Sequence, residues 1–356
     1  MVTTLPRVDA GPPRADVACR EPAPGTQPGD SARPVVPGRA PWSGRWVLIQ
    51  RSGRVGDEAR RTKVTAVEQV TGPVCAHGEG PVWHPGWGGL RWVDMLAGDV
   101  MTLDADGKVG RHHVASVAAV LRPRADGGTV LAVERGFATL PPGSGDAWDG
   151  LTEGVVPEPL PEIWDDPTVR MNEGGCDPQG RLWCGSMAYD AAEGLARVHR
   201  LDPSGEVTVA EAFGAVTISN GLWWDAEGTH VFYADTPTGR VDVFDHDPET
   251  GPTDRRPFAR VESPDGLTVD EEGGVWVALW GGGAVHRYGP DGRLDTVIDL
   301  PVPQVTSLTF GGPGLDELYI TTSQQDTDRE TYPQAGSLFL ARPGVRGLPV
   351  RPFGTA

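Results

Sequence analysis

The chain has 356 residues, of which 34 are Pro and 49 are Gly, and 38% are hydrophobic, twelve Trp among them. So many turn-formers exclude a mainly helical protein, and that apolar content excludes global disorder; many short strands joined by tight turns fit both. The net charge of −18 is uneven: residues 1–61 carry +4, with ten Arg against six acids, and the remainder carries −22, which disfavours nucleic acid and anionic membrane as partners.

In chain order, residues 1–61 come first, with nine Pro before position 42 and no sustained hydrophobic periodicity. That composition cannot bury enough apolar surface to offset chain entropy, so a disordered Pro- and Arg-rich extension is expected there. It has no apolar run of signal-peptide type, and no run anywhere approaches the roughly 18 to 20 apolar residues of a membrane span. Four cysteines at positions 19, 75, 176 and 184 match neither a disulfide framework nor a zinc pattern. A cytoplasmic protein with reduced thiols is the resulting expectation; the oligomeric state is left open.

From residue 62 onward the chain repeats. Six short apolar segments recur, starting at Leu90, Val130, Leu182, Val231, Val275 and Leu318, at intervals of 40, 52, 49, 44 and 43 residues. Each is rich in β-branched or aromatic residues, and most follow a turn signal such as Gly88-Gly89, Asp126-Gly127-Gly128 or Glu272-Gly273-Gly274. A unit of this length holding several strands corresponds to one propeller blade, and six units fill 62–356. The fold class is therefore all-β, a six-bladed β-propeller, in which ring closure removes exposed sheet edges. Residues 140–161, rich in Pro, Gly and acids, read as an insertion in blade two.

Counting back from each segment gives six equivalent positions in a preceding strand: Glu79, Ala119, Asn172, Asn220, Asp265 and Ser307. The first strand of a blade lines the central channel, so Glu79, Asn172, Asn220 and Asp265 should converge at one mouth, although as many as 186 residues separate them in sequence. Two carboxylates and one or two carboxamides, without His or Cys, suit Ca²⁺, Mg²⁺ or Mn²⁺, with Fe²⁺ or Zn²⁺ also open. Strand-end capping and Asx turns are the bland reading of each residue taken singly. Four at equivalent repeat positions favour the metal.

The segments Gly78-Glu79-Gly80-Pro81-Val82-Trp83, Arg170-Met171-Asn172-Glu173-Gly174, Gly180 to Met187, Ile218-Ser219-Asn220-Gly221-Leu222, Ser263 to Asp270 and Phe310 to Thr322 resemble, in collinear order, the SMP-30/gluconolactonase/luciferin-regenerating-enzyme family. The resemblance covers roughly residues 65–345. It implies a six-bladed propeller with one catalytic divalent metal, calcium first among the candidates, and hydrolysis of a small lactone. By motif, Glu79, Asn220 and Asp265 take the places of metal ligands, and Arg170 and Asn172 those of substrate-binding residues. Asp190 stands where some sugar-lactonase relatives carry a glutamate pair that touches substrate. The family's Asn-Asp-Gly is here Asn172-Glu173-Gly174; strand alternation turns Glu173 away from Asn172, so little effect is expected of it.

Asp265, on or beside an activated water, is the candidate general base, and Arg170 a fixed charge for substrate oxygens. A phosphotriester or aryl-ester hydrolase would use the same cation and water, and a non-catalytic propeller whose metal pins the blades is the third reading. His77, the pair His112-His113 and the channel serines Ser219 and Ser307 show no metal spacing or triad partners.

Overall fold

The computed structural model describes residues 66–142 and 156–355. The expected disordered extension and most of the blade-two insertion lie outside the described residues. The described part is a six-bladed β-propeller, each blade a four-stranded antiparallel sheet. Each innermost strand packs on the next, closing a ring: Gly78–His84, Ala118–Pro123, Val169–Cys176, Ser219–Trp224, Pro264–Val269 and Val305–Gly311. The six recurring sequence segments are the second strands, Gly89–Asp94, Thr129–Val133, Leu182–Ala188, His230–Asp235, Val275–Leu279 and Glu317–Thr322. Among the described residues no helix is long and apolar enough to cross a membrane.

One connection departs from the simple repeat. The outermost strand of blade six is Val67–Gln69, from the start of the described chain, paired with Phe339–Ala341. The last blade thus borrows its fourth strand from the opposite end of the chain and closes the ring with backbone hydrogen bonds. At the far end of the channel the C-terminal segment crosses from blade to blade. The amide of Gly347 donates to Leu315, that of Phe353 to Pro123, and that of Gly354 to Gly180. Val350 and Phe353 are buried by this crossing. The residues expected from the sequence to converge, Glu79, Asn172, Asn220 and Asp265, lie near the opposite ends of the innermost strands.

Blade cores are aromatic, and one device recurs in them. In Asp177-Pro178-Gln179-Gly180 the Asp177 carboxylate accepts the amides of Gln179 and Arg181, closing the turn, and also the Trp183 indole N–H at 2.8 Å. Asp270 does the same for Glu272, Gly274 and Trp276, the last also at 2.8 Å. A single side chain thus sets the turn and satisfies the polar atom of a buried Trp, as burial of an indole requires. Trp92, Trp183 and Trp276 are all buried, as core packing predicts. Cys75, Cys176 and Cys184 are buried free thiols, each pushed up to about 12 chiefly by burial.

Candidate active site

All six innermost strands lose register with their neighbours early in the strand, between Glu79 and Val82, Ala118 and Val120, Met171 and Gly174, Ser219 and Leu222, Pro264 and Leu267, and Val305 and Leu308. An extra residue at that level lets two consecutive side chains of one strand approach the channel, where a regular strand would offer one. Asn172, Asn220 and Asp265 open their bulges, and Glu79, still paired with Val93, stands just before its own; these four residues of the ring expected from the sequence, Glu79, Asn172, Asn220 and Asp265, are all buried, with exposures of 3, 5, 4 and 4%. Blade six needs a correction. Val305 pairs with Thr322 as Ser219 pairs with Asp235, so the residue equivalent to Asn220 is Thr306, and Ser307 lies one layer deeper.

The carboxamides are oriented by a chain of hydrogen bonds. Asn220 Nδ2 donates to Thr236 Oγ1 at 2.7 Å, which leaves its Oδ1 on the side of Asn172. Asn172 Nδ2 donates to that Oδ1 and to the Ser219 carbonyl, both at 2.8 Å. Asn172 Oδ1 in turn accepts from Arg170 NH1 at 2.6 Å. The Arg170 guanidinium lies 5.7 Å from the centre of the Tyr189 ring, and its NH1 also reaches the Met171 carbonyl. Asn172 thus commits both amide protons to holding Asn220 and its own neighbour strand, and keeps only oxygen capacity for anything else.

Glu79 and Asp265 sit in the opposite electrostatic regime from a structural ion pair. Burial, then repulsion from Glu173, raises Glu79 well above the usual carboxylate range, offset in part by the Gly80 amide and Arg170. Burial, then Glu79, then Glu173 do the same to Asp265. Among the described residues neither closes an ion pair with Lys or Arg. His77 approaches Glu79 at 3.9 Å, but burial pushes its pKa down to about 3, so it stays neutral and bonds Ser323 Oγ at 2.8 Å.

The structure overturns one expectation. Glu173 does not turn away: the bulge between Met171 and Gly174 cancels the alternation, and Glu173 is buried in the channel. Its Oε1 accepts from Ser307 Oγ at 3.1 Å, a bond that spans from blade three to blade six. Glycines clear this layer in neighbouring blades; a Cβ on Gly266 would lie 2.2 Å from Ser307 Oγ. A sequence signal for this existed in Glu79-Gly80, Asn220-Gly221 and Asp265-Gly266: Gly follows each of those three candidates, whereas a Glu follows Asn172. Asp190 is not brought to the cluster. It is exposed and accepts the Ala192 amide at 3.0 Å, while its neighbour Tyr189 stands over Arg170 and donates to Glu134 Oε1 at 2.5 Å.

The donor set fits an oxygen-preferring divalent cation. Two buried carboxylates, of which Glu79 raises the pKa of Asp265 and Glu173 raises both, are stabilised by a cation between them, and hydrogen bonds fix the Asn220 amide beside them. Among the described residues no three His, Cys, Asp or Glu side chains form a metal-ligating group, so such a cation would depend on amide oxygen and water beside the two carboxylates.

A family model described as the SMP-30/Gluconolactonase/LRE-like region matches residues 77–324. The chain belongs to the SMP-30/gluconolactonase/LRE-like family. Within that family it is 36% identical over 299 residues to pentonolactonase XacC of Haloferax volcanii, covering 80% of this chain and 96% of the relative. It is 34% identical over 292 residues to regucalcin of Gallus gallus, covering 78% and 94%. Among solved structures, a calcium-binding protein, regucalcin, of Agrobacterium tumefaciens superposes with a TM-score of 0.74 at 27% identity, covering 82% of this chain and 98% of that one.

The raised carboxyls give a testable pH dependence. A carboxyl whose folded pKa exceeds its unfolded value of about 3.9 contributes stability fully below that value, and loses it as pH rises through the folded one. For the cation-free protein, Asp265→Asn should therefore melt higher than wild type at pH 8, with the gap shrinking toward pH 5. Melting curves in chelator at both pH values check this, and a wild type that is the more stable at pH 8 contradicts it.

Proposed function

We propose that this chain is a lactonase that hydrolyses a small, sugar-type lactone with one divalent cation held by Glu79, Asn220 and Asp265. The observation that carries the reading is the convergence of two charge-stressed carboxylates with a hydrogen-bonded Asn220 amide beside Arg170. The pentonolactonase relative supports the substrate class, and the calcium-binding structure supports Ca²⁺ ahead of Mg²⁺, Mn²⁺, Fe²⁺ or Zn²⁺. Buried reduced thiols agree with a cytoplasmic location.

The chemistry that the cation supplies when bound is Lewis-acid polarisation of the ester carbonyl and acidification of water. Asp265 accepts the proton of the attacking water. Arg170 supplies fixed positive charge for the substrate's oxygens and for the carboxylate product. Asn172 holds Arg170 and Asn220 in register and presents its remaining oxygen capacity to a substrate hydroxyl. Tyr189, bonded to Glu134, walls the mouth beside Arg170.

The test is a panel of five- and six-membered aldonolactones assayed by acid release with each of the five cations. Turnover of at least one lactone, dependent on cation, is expected. Hydrolysis of none, with turnover of aryl esters or phosphotriesters instead, would replace the substrate class.

A further inference from the structure

Glu173 is the one acid of the channel that the three proposed ligands leave without a task. It is 6% exposed, and only one of its oxygens is engaged, Oε1 by Ser307. Oε2 is buried with no hydrogen-bond partner. A buried carboxylate oxygen normally has a partner, and leaving one without is costly, so an ion or water should meet it. Arg122, a buried cation from blade two, offsets the Glu173 charge through space, but its NH groups donate to the carbonyls of Leu121 and Gly174 and give Oε2 no hydrogen bond. The charge of Glu173 is also felt by Glu79 and Asp265, the two carboxylates of the ring above it.

We infer that Glu173 is a further anionic group beside the cation site, held from below by Ser307 and acting through Oε2 on a water of the cation rather than as a ligand. This rests on the proposed cation site and deepens it: the site would carry three negative side chains rather than two. A unit charge within several ångströms in a buried channel changes the affinity for a divalent ion by an order of magnitude or more. Glu173 does not contact the reacting ester in this account. It is a positioning residue that strengthens cation retention.

The experiment is calorimetric titration of Ca²⁺, and separately Mn²⁺, into chelator-stripped wild type, Glu173→Gln and Glu173→Asp, with the rise in melting temperature at saturating cation as a second readout. Glu173→Gln keeps the size and the bond to Ser307 but not the charge. Its affinity is expected to fall at least about tenfold, with a smaller cation-induced rise in melting temperature. Glu173→Asp, which keeps the charge, should bind within about threefold of wild type, well inside the tenfold loss expected for the neutral variant. Equal affinity of Glu173→Gln and wild type overturns the inference and leaves the three-ligand site standing. Equal losses in both variants also overturn it, because packing and not charge would then be responsible. A wild type that binds neither ion sinks the cation site itself.

Discussion

Replacing Asp265 by Asn is expected to cut kcat for lactone hydrolysis by at least about a hundredfold at saturating cation. The change removes one negative charge and the proton acceptor while keeping an oxygen in the same place. Asp265 is 4% exposed, and in the cation-free protein burial with Glu79 and Glu173 nearby raises its affinity for a proton. Glu79→Gln should behave differently. It weakens cation binding, and raising the cation concentration should recover much of the rate, because the base is still present. Steady-state kinetics over a range of cation concentrations separate the two. A near-normal kcat in Asp265→Asn would assign the base to another residue.

Removal of the cation should abolish turnover, and its return should restore it. The energetic reason lies in the same carboxylates. Without a cation, Glu79, Asp265 and Glu173 repel one another in a buried channel, and the protein lowers that cost by holding protons. Protonated carboxyls neither attract a divalent ion nor accept a proton from water. Dialysis against chelator, followed by stepwise addition of Ca²⁺, should therefore give activity that tracks occupancy, with a parallel gain in melting temperature. Full-rate hydrolysis by the stripped protein would exclude the proposed chemistry.

Much of this architecture is legible in the sequence because it rests on local rules repeated six times. Segments such as Val275–Leu279 announce themselves by β-branched and aromatic residues behind an Asp-x-x-Gly turn, and the structure shows why that turn recurs: Asp270 also holds the Trp276 indole. Counting back from them places Glu79, Asn172, Asn220 and Asp265 at one level of neighbouring strands. What was not legible depends on events without a local signature. Nothing in Val67-Glu68-Gln69 reveals a partner at Phe339–Ala341, because strand pairing at that distance leaves no trace in periodicity. The bulges shift register by one residue, so a strict two-residue alternation turns Glu173 outward, and a fixed count back from Leu318 lands on Ser307 rather than Thr306. Asp190 stands where some relatives carry a glutamate pair, but the turn after Ala188 uses its carboxylate for the Ala192 amide and points Tyr189 at Arg170 instead.

The central claim is that one cation sits among Glu79, Asn220 and Asp265. Anomalous diffraction from a Mn²⁺-soaked crystal tests it most directly. The account predicts a single strong peak in the channel, within bonding distance of side-chain oxygens from all three residues. A channel without a peak, or a peak bound elsewhere with these three side chains unliganded, would contradict it.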